Sequence, residues 1–284
     1  MEIIVGKLSG FCAGVKNAVE KSEEQLDKYN QKIYCLGELV HNRQVVEKLE
    51  KKGLETVEDI SDVNGKTIIR AHGVAKEVYE KAEEKGIELI DLTCPKVLSI
   101  HKMAEEYKEK GYFIILIGVE RHPESIGTIS FCGNNSYLLF DKENIPEAIE
   151  RIKESGVKKV VIIAQTTFSL KKFEEYSEQI KKELENNYEL EIKNTICPAT
   201  MLRQEETEKI SKQVDYMIVI GGKNSSNTRK LYDISKINCE NTVCVENVQE
   251  LDLSTIRKFE KIGIMAGAST PQESIDEIKE LISN

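Results

Sequence analysis

KTIIRAHGVAKEVYEKAEEKGIELIDLTCP, residues 66–95, decides the fold. It opens on a short run rich in Ile that ends in the tripeptide Ala71-His72-Gly73, continues through a charged stretch of helical character, and closes on a second short apolar run that ends at Cys94 before Pro95. Runs this short and apolar on both faces read as buried parallel strands. A charged helix joining two of them is the strand–helix–strand unit of an α/β protein.

The pattern recurs outward from this stretch. KKVVIIAQTT, residues 158–167, ends in Gln165-Thr166-Thr167; a charged stretch follows, LKKFEEYSEQIKKELENN, and then YELEIKNTICP brings Cys197 before Pro198. KIGIMAGAST, residues 261–270, ends in Ala268-Ser269-Thr270 and leads into PQESIDEIKELI, but no third cysteine-ending strand follows before Asn284. The missing strand is expected at the other end, where EIIVG leads through GFCAGV to Cys12. A second kind of strand precedes each copy: KIYCLG ends at Gly37 with His41 four residues on, YFIILIG at Gly118 with His122, and DYMIVIGG at Gly221 with Ser225. The second and third of these glycines are separated by the same 103 residues as Cys94 and Cys197. Any α/β protein alternates strands and helices, but the same polar residues in the same order mark an internal repeat. The expected architecture is three similar α/β modules with mostly parallel sheets, spanning 13–94, 95–196, and 197–284 plus 1–12. Pseudo-threefold symmetry among them would bring the three cysteines to one centre.

Composition narrows the function. The chain of 284 residues has 40% hydrophobic and 31% charged residues and no apolar run near the ~20 needed to span a bilayer, so a membrane role is not expected. MEIIVGKLSG has no export pattern, and a cytoplasmic location is expected. A net charge of −9 opposes general binding of nucleic acid, and a small anion would need a local pocket of backbone N–H groups. Seven cysteines, an odd count, favour metal-ligating or catalytic thiols over a disulfide framework in a reducing compartment.

Three thiolates are too few to close a structural zinc site or a four-cysteine cluster, and so leave one metal position open. No CxxC pair occurs, which argues against local metal fingers and thioredoxin-like chemistry. Cys35, Cys132, Cys239 and Cys244 fall outside the repeated position and read as core residues. GGKNSSNTRKL sets Ser225, Ser226, Asn227 and Thr228 between a glycine pair and a helix, and GAST sets Ser269 and Thr270 ahead of another. One such terminus alone is an ordinary N-cap, but several converging on one axis suit a diphosphate. His41 and His72 are expected at the positions that Ser225 and Ser269 hold in the third copy. Glu124, two residues after His122, is the one carboxylate at a repeat position and the candidate proton donor. His101 has no equivalent in the repeat and is given no role.

Taken together, GFCAGV, GELVHN, RAHGV, DLTCP, GVERHPE, AQTTFS, ICPAT, KNSSNT and GAST resemble the 4-hydroxy-3-methylbut-2-enyl diphosphate reductases over essentially the whole chain. The resemblance implies an oxidoreductase of the non-mevalonate isoprenoid pathway. Its modules would surround a [4Fe–4S] cluster ligated by Cys12, Cys94 and Cys197 with one iron open. It also implies reductive removal of an allylic hydroxyl, giving isopentenyl and dimethylallyl diphosphate, with electrons from ferredoxin or flavodoxin. By the same resemblance Glu124 donates a proton, and Thr166, or its neighbour Thr167, orients the substrate hydroxyl. His41, His72, His122, Ser225, Ser226, Asn227 and Ser269 bind the diphosphate. Two other readings use the same cysteines: a redox-neutral hydro-lyase with an open-site cluster, and a non-catalytic iron–sulfur redox sensor.

Overall fold

The computed structural model describes residues 1–29, 32–184 and 187–283. Its twelve strands, in chain order, are β1 Glu2–Val5, β2 Ile33–Leu36, β3 Leu54–Val57, β4 Thr67–Ile69, β5 Leu89–Asp91, β6 Phe113–Ile117, β7 Ser136–Leu139, β8 Lys159–Ala164, β9 Glu189–Ile192, β10 Tyr216–Ile220, β11 Thr242–Val245 and β12 Lys261–Ala266. They form three four-stranded sheets in which every pairing is parallel: β3-β2-β4-β5, β7-β6-β8-β9 and β11-β10-β12-β1. The amino-terminal strand pairs with β12, Glu2 opposite Lys261 through Val5 opposite Ile264. It thus takes the edge that β5 and β9 hold in the other sheets, as the repeat requires.

Two compact units are present. One comprises Met1–Glu20, Val40–Lys51 and Pro198–Asn284 and contains the sheet of β1, β10, β11 and β12; the other comprises Lys21–Leu39 and Lys52–Cys197 and contains the remaining two sheets. The sheet is therefore the element that repeats. Asn284, the last residue of the expected third module, and residues 185 and 186, the tail of the second charged stretch, lie outside the described residues.

The expected helices form at Lys76–Lys85, Leu170–Leu184 and Gln272–Ser283. Pro95, Pro123 and Pro198 each open a helix, where a missing N–H costs nothing, whereas Pro271 stands one residue before its helix. Central strands such as FIILI of β6 and YMIVI of β10 are buried along their whole length, and each enclosed Ile, Val or Leu contributes about 1.5–3 kcal/mol.

Three strands escape the apolar-run reading: β3 (LETV), β7 (SYLL) and β11 (TVCV). Each is a four-residue, partly exposed edge strand, too short and too polar to stand out. Each is also followed by a matching turn, in which Asp59, Asp141 or Asn247 accepts a hydrogen bond from the backbone two residues on and starts a short 3₁₀ helix. The Asp or Asn two residues after each edge strand is a further repeat.

Candidate active site

In each sheet the chain runs outward to the edge strand and then returns past its starting strand, so a crevice opens at the carboxyl ends of β2/β4, β6/β8 and β10/β12. Ligands of open α/β sheets bind at such reversals. At each one the first strand ends on a glycine whose N–H donates to the edge strand: Gly37 to Val57, Gly118 to Leu139 and Gly221 to Val245. The loops that leave these glycines, and the loops that leave the returning strands, build the site.

In the larger unit, the helix Pro123–Cys132 begins under the loop after β6. His122 caps it, its Nδ1 accepting the backbone N–H of Glu124 at 3.1 Å. Glu124 is 1% exposed. Thr166, just beyond β8, spans its carboxyl group: the backbone N–H donates to Oε1 at 2.6 Å and the hydroxyl to Oε2 at 2.7 Å. Burial raises the carboxyl pKa from 4.5 to about 7, against the two Thr166 hydrogen bonds, which lower it. Near neutral pH this group can therefore both hold and release a proton. His72, after β4, meets the His122 ring edge-on at 5.4 Å between centroids.

Gln165, the first residue of its strand-ending tripeptide but given no role from sequence, braces this corner. Its Oε1 accepts the Val119 N–H at 2.9 Å and the Ser125 hydroxyl at 3.3 Å, and its Nε2 donates to the Thr167 hydroxyl at 3.0 Å. Gly118 is required beside it, because a Cβ there would stand 2.5 Å from Ser125 Oγ.

In the other unit, Ser225 caps the helix Ser226–Asn238 by accepting the Thr228 N–H at 3.3 Å. The Ser226 hydroxyl and both polar atoms of the Asn227 amide are buried without a hydrogen-bond partner among the described residues. Buried polar groups are normally satisfied, and these belong to the first turn of a helix, at its positive end, an arrangement suited to an anion. Ser269 lies alongside, its hydroxyl donating to the His41 carbonyl at 3.1 Å, and the same carbonyl is 2.4 Å from where a Cβ on Gly222 would stand.

Matched hydrogen bonds fix the cysteines. The N–H of Cys12 donates to Ala268 O at 3.1 Å, that of Cys94 to Ala71 O at 3.0 Å, and that of Cys197 to Thr166 O at 3.0 Å. All three are partly exposed, and none of the seven cysteines is in a disulfide. Of the other four, Cys35, Cys132 and Cys239 are buried and Cys244 is partly exposed; burial pushes each thiol up, to about 12 for Cys35 and Cys132. His101 is also buried, stacked on Phe131 at 4.3 Å, with its pKa pressed down to about 4 by burial.

The backbone corrects the repeat register in two places. The turn bonds Gly73 N–H to Arg70 O, Phe168 N–H to Gln165 O and Thr270 N–H to Gly267 O align His72 with Thr167 and Ser269, and Ala71 with Thr166 and Ala268. Thr166, the middle of its tripeptide, is thus not the counterpart of His72; Thr167 is. Likewise the residue that caps the helix Arg43–Lys51 is Asn42, whose Oδ1 accepts the Val45 N–H at 3.2 Å, so Asn42 and not His41 is equivalent to His122 and Ser225. The loop after Gly37 is one residue longer than its two counterparts, which equal spacing from the glycine conceals.

Fold and site define an α/β protein of three parallel sheets, with polar strand ends, one buried carboxylic acid among the described residues, and three cysteines in equivalent backbone positions. The profile of the family described as LytB protein matches residues 3–283, and the chain belongs to that family. It is 41% identical over 292 residues to the 4-hydroxy-3-methylbut-2-enyl diphosphate reductase of Caldanaerobacter subterraneus subsp. tengcongensis, covering 100% of this chain and 97% of the relative. It is 39% identical to the enzyme of the same name from Clostridioides difficile, covering 100% of both. Among solved structures, the E-1-hydroxy-2-methyl-but-2-enyl-4-diphosphate reductase of Plasmodium falciparum superposes with a TM-score of 0.91 at 31% identity, covering 100% of this chain and 88% of that one. A structure described as (E)-4-hydroxy-3-methyl-but-2-enyl diphosphate reductase, the terminal enzyme of the non-mevalonate pathway, gives 0.70 at 38% identity, covering 100% and 99%. No described helix is long and apolar enough to cross a membrane.

Proposed function

We propose that this chain reduces (E)-4-hydroxy-3-methylbut-2-enyl diphosphate to isopentenyl and dimethylallyl diphosphate, the last step of the non-mevalonate pathway, in the cytoplasm, with ferredoxin or flavodoxin as electron donor. In this reading the modules are 13–94, 95–196 and 197–284 plus 1–12. Cys12, Cys94 and Cys197 hold a [4Fe–4S] cluster, a role their chemistry fits. Each has its backbone N–H committed to a neighbouring strand end and is partly exposed with its thiol free, whereas Cys35, Cys132 and Cys239 are buried. When bound, such a cluster supplies single electrons and one unsaturated iron.

The observation that carries the proposal is the buried Glu124–Thr166 pair. The reaction breaks the allylic C–O bond, adds two electrons, and takes up two protons, one on the departing oxygen to give water and one on carbon. Glu124, enclosed and with a pKa near 7, holds the first of these protons. Thr166 fixes the carboxyl group through both oxygens, and either Thr166 or Thr167 orients the substrate hydroxyl. Asn227, Ser225, Ser226 and Ser269, with donors from His41, His72 and His122, bind the diphosphate. The two products differ in which carbon takes the second proton.

The test is anaerobic turnover of the substrate with and without dithionite and a dye mediator, together with Mössbauer spectra of the protein before and after substrate addition. Reductant-dependent release of both diphosphates, with one iron of four changing its signal, supports the reading. Water loss without reductant would instead identify a redox-neutral hydro-lyase, and an unresponsive cluster a sensor.

A further inference from the structure

The three cysteine loops differ in length although their cysteines occupy equivalent positions. The last ladder hydrogen bond before each cysteine is Leu92 N–H to Ile69 O, Lys193 N–H to Ile162 O and Gly6 N–H to Ile264 O, so the excursions to Cys94, Cys197 and Cys12 grow from two residues to four to six. The two shorter loops stiffen themselves with an Asx turn at the residue three before the cysteine. Asp91 accepts the Thr93 N–H at 2.9 Å, and Asn194 accepts the Ile196 N–H at 3.1 Å. Ser9 holds that position in the longest loop, but its hydroxyl is used elsewhere, accepting the Ala266 N–H at 3.0 Å.

A different device acts on that loop. From the helix Pro198–Ser211, Glu206 accepts the N–H groups of Lys7 and Leu8, one on each carboxylate oxygen, both at 2.8 Å. One turn earlier Arg203, 4% exposed, donates from Nε to the Leu8 carbonyl at 2.7 Å and from Nη2 to the Gly10 carbonyl at 2.9 Å. Four charge-assisted hydrogen bonds thus grip residues 7–10 immediately before Cys12, each stronger than a neutral one. Gly10 passes through φ +93°, a left-handed conformation that the grip on its carbonyl holds in place.

We infer that Arg203 and Glu206 are positioning residues for Cys12: they hold the longest cysteine loop in the geometry that its shorter counterparts reach by a local turn. This rests on the reading of Cys12 as a cluster ligand, but the grip itself is observable without the cluster. In the cluster-free full-length protein, Glu206→Ala, which suits a helix surface and leaves the core intact, speeds hydrogen exchange at Lys7 and Leu8 by about tenfold or more. Arg203→Met, which keeps the apolar stem, raises alkylation of Cys12 by iodoacetamide while Cys94 and Cys197 react as in the parent. In the iron-loaded protein, both variants lose iron to a ferrous chelator faster than the parent. A general loss of stability would raise all three cysteines together and would overturn the inference, as would exchange, alkylation and chelation rates equal to the parent in both variants. Failure of the parent protein to take up iron would refute the cluster, whereas the exchange and alkylation results would still decide the clamp.

Discussion

At Glu124 two influences oppose each other on one carboxyl group: enclosure favours the neutral acid, and the two Thr166 donors favour the carboxylate. Enclosure wins, which leaves the group protonated well above the range of an ordinary glutamate. Replacing it by Gln preserves shape and removes the proton; turnover falls by ~10²–10⁴ with diphosphate binding retained, as measured by steady-state assay and calorimetric titration. The same shift makes stability depend on pH. A carboxyl group whose folded pKa is raised above its unfolded value stabilises the fold fully below about 4.5, and that contribution is lost as pH rises through about 7. The parent should therefore lose roughly 3 kcal/mol from this site between pH 4 and pH 8, at about 1.36 kcal/mol per pH unit. Urea denaturation of Glu124→Gln should show a flatter profile over that window. Glu124 was legible in sequence because it is the only acid at a repeat position, but its burial was not, since no local pattern reports which strands and helices close over a side chain.

Elements place these residues through their ends. Helix starts at Arg43, Pro123 and Ser226 are each capped by the side chain just before them, Asn42, His122 and Ser225. Removing the first of these caps by Asn42→Ala costs about 1 kcal/mol, read as a lower denaturation midpoint. At the third start, Gly222→Ala would press a Cβ against the His41 carbonyl and disturb the loop proposed to bind the diphosphate. Calorimetric titration with inorganic diphosphate should show binding weakened by tenfold or more, because neither backbone can give way cheaply. The central strands were legible as Ile and Val runs, whereas the edge strands β3, β7 and β11 were not. Each of these three mixes Glu, Thr, Ser or Cys into four residues and leads to no repeated cysteine, unlike the edge strands β1, β5 and β9, so neither composition nor motif marks it.

Across the whole molecule the telling feature is the return of the amino terminus to the last sheet. β1 contributes Ile3 and Val5 to the packing around Ile262, Ile264 and Ile278, and supplies the ladder partner of β12. Deleting residues 1–5 exposes that edge and removes three partly buried aliphatic side chains, Ile3, Ile4 and Val5, so a loss of several kcal/mol and a lower, broader calorimetric transition are expected. By itself the sequence determined the α/β class, the three copies and the pairing of the first strand with the last sheet, because each follows from a pattern that recurs at a fixed place relative to an apolar run. Tertiary structure alone decided the register of Asn42 against His41 and of Thr167 against Thr166, the bracing by Gln165, and the hold of Arg203 and Glu206 on the Cys12 loop. The register rests on local cap and turn bonds that equal spacing conceals, whereas contacts such as Ser125 with Gln165, 40 positions apart, and Lys7 with Glu206, 199 apart, join residues about which periodicity carries no information.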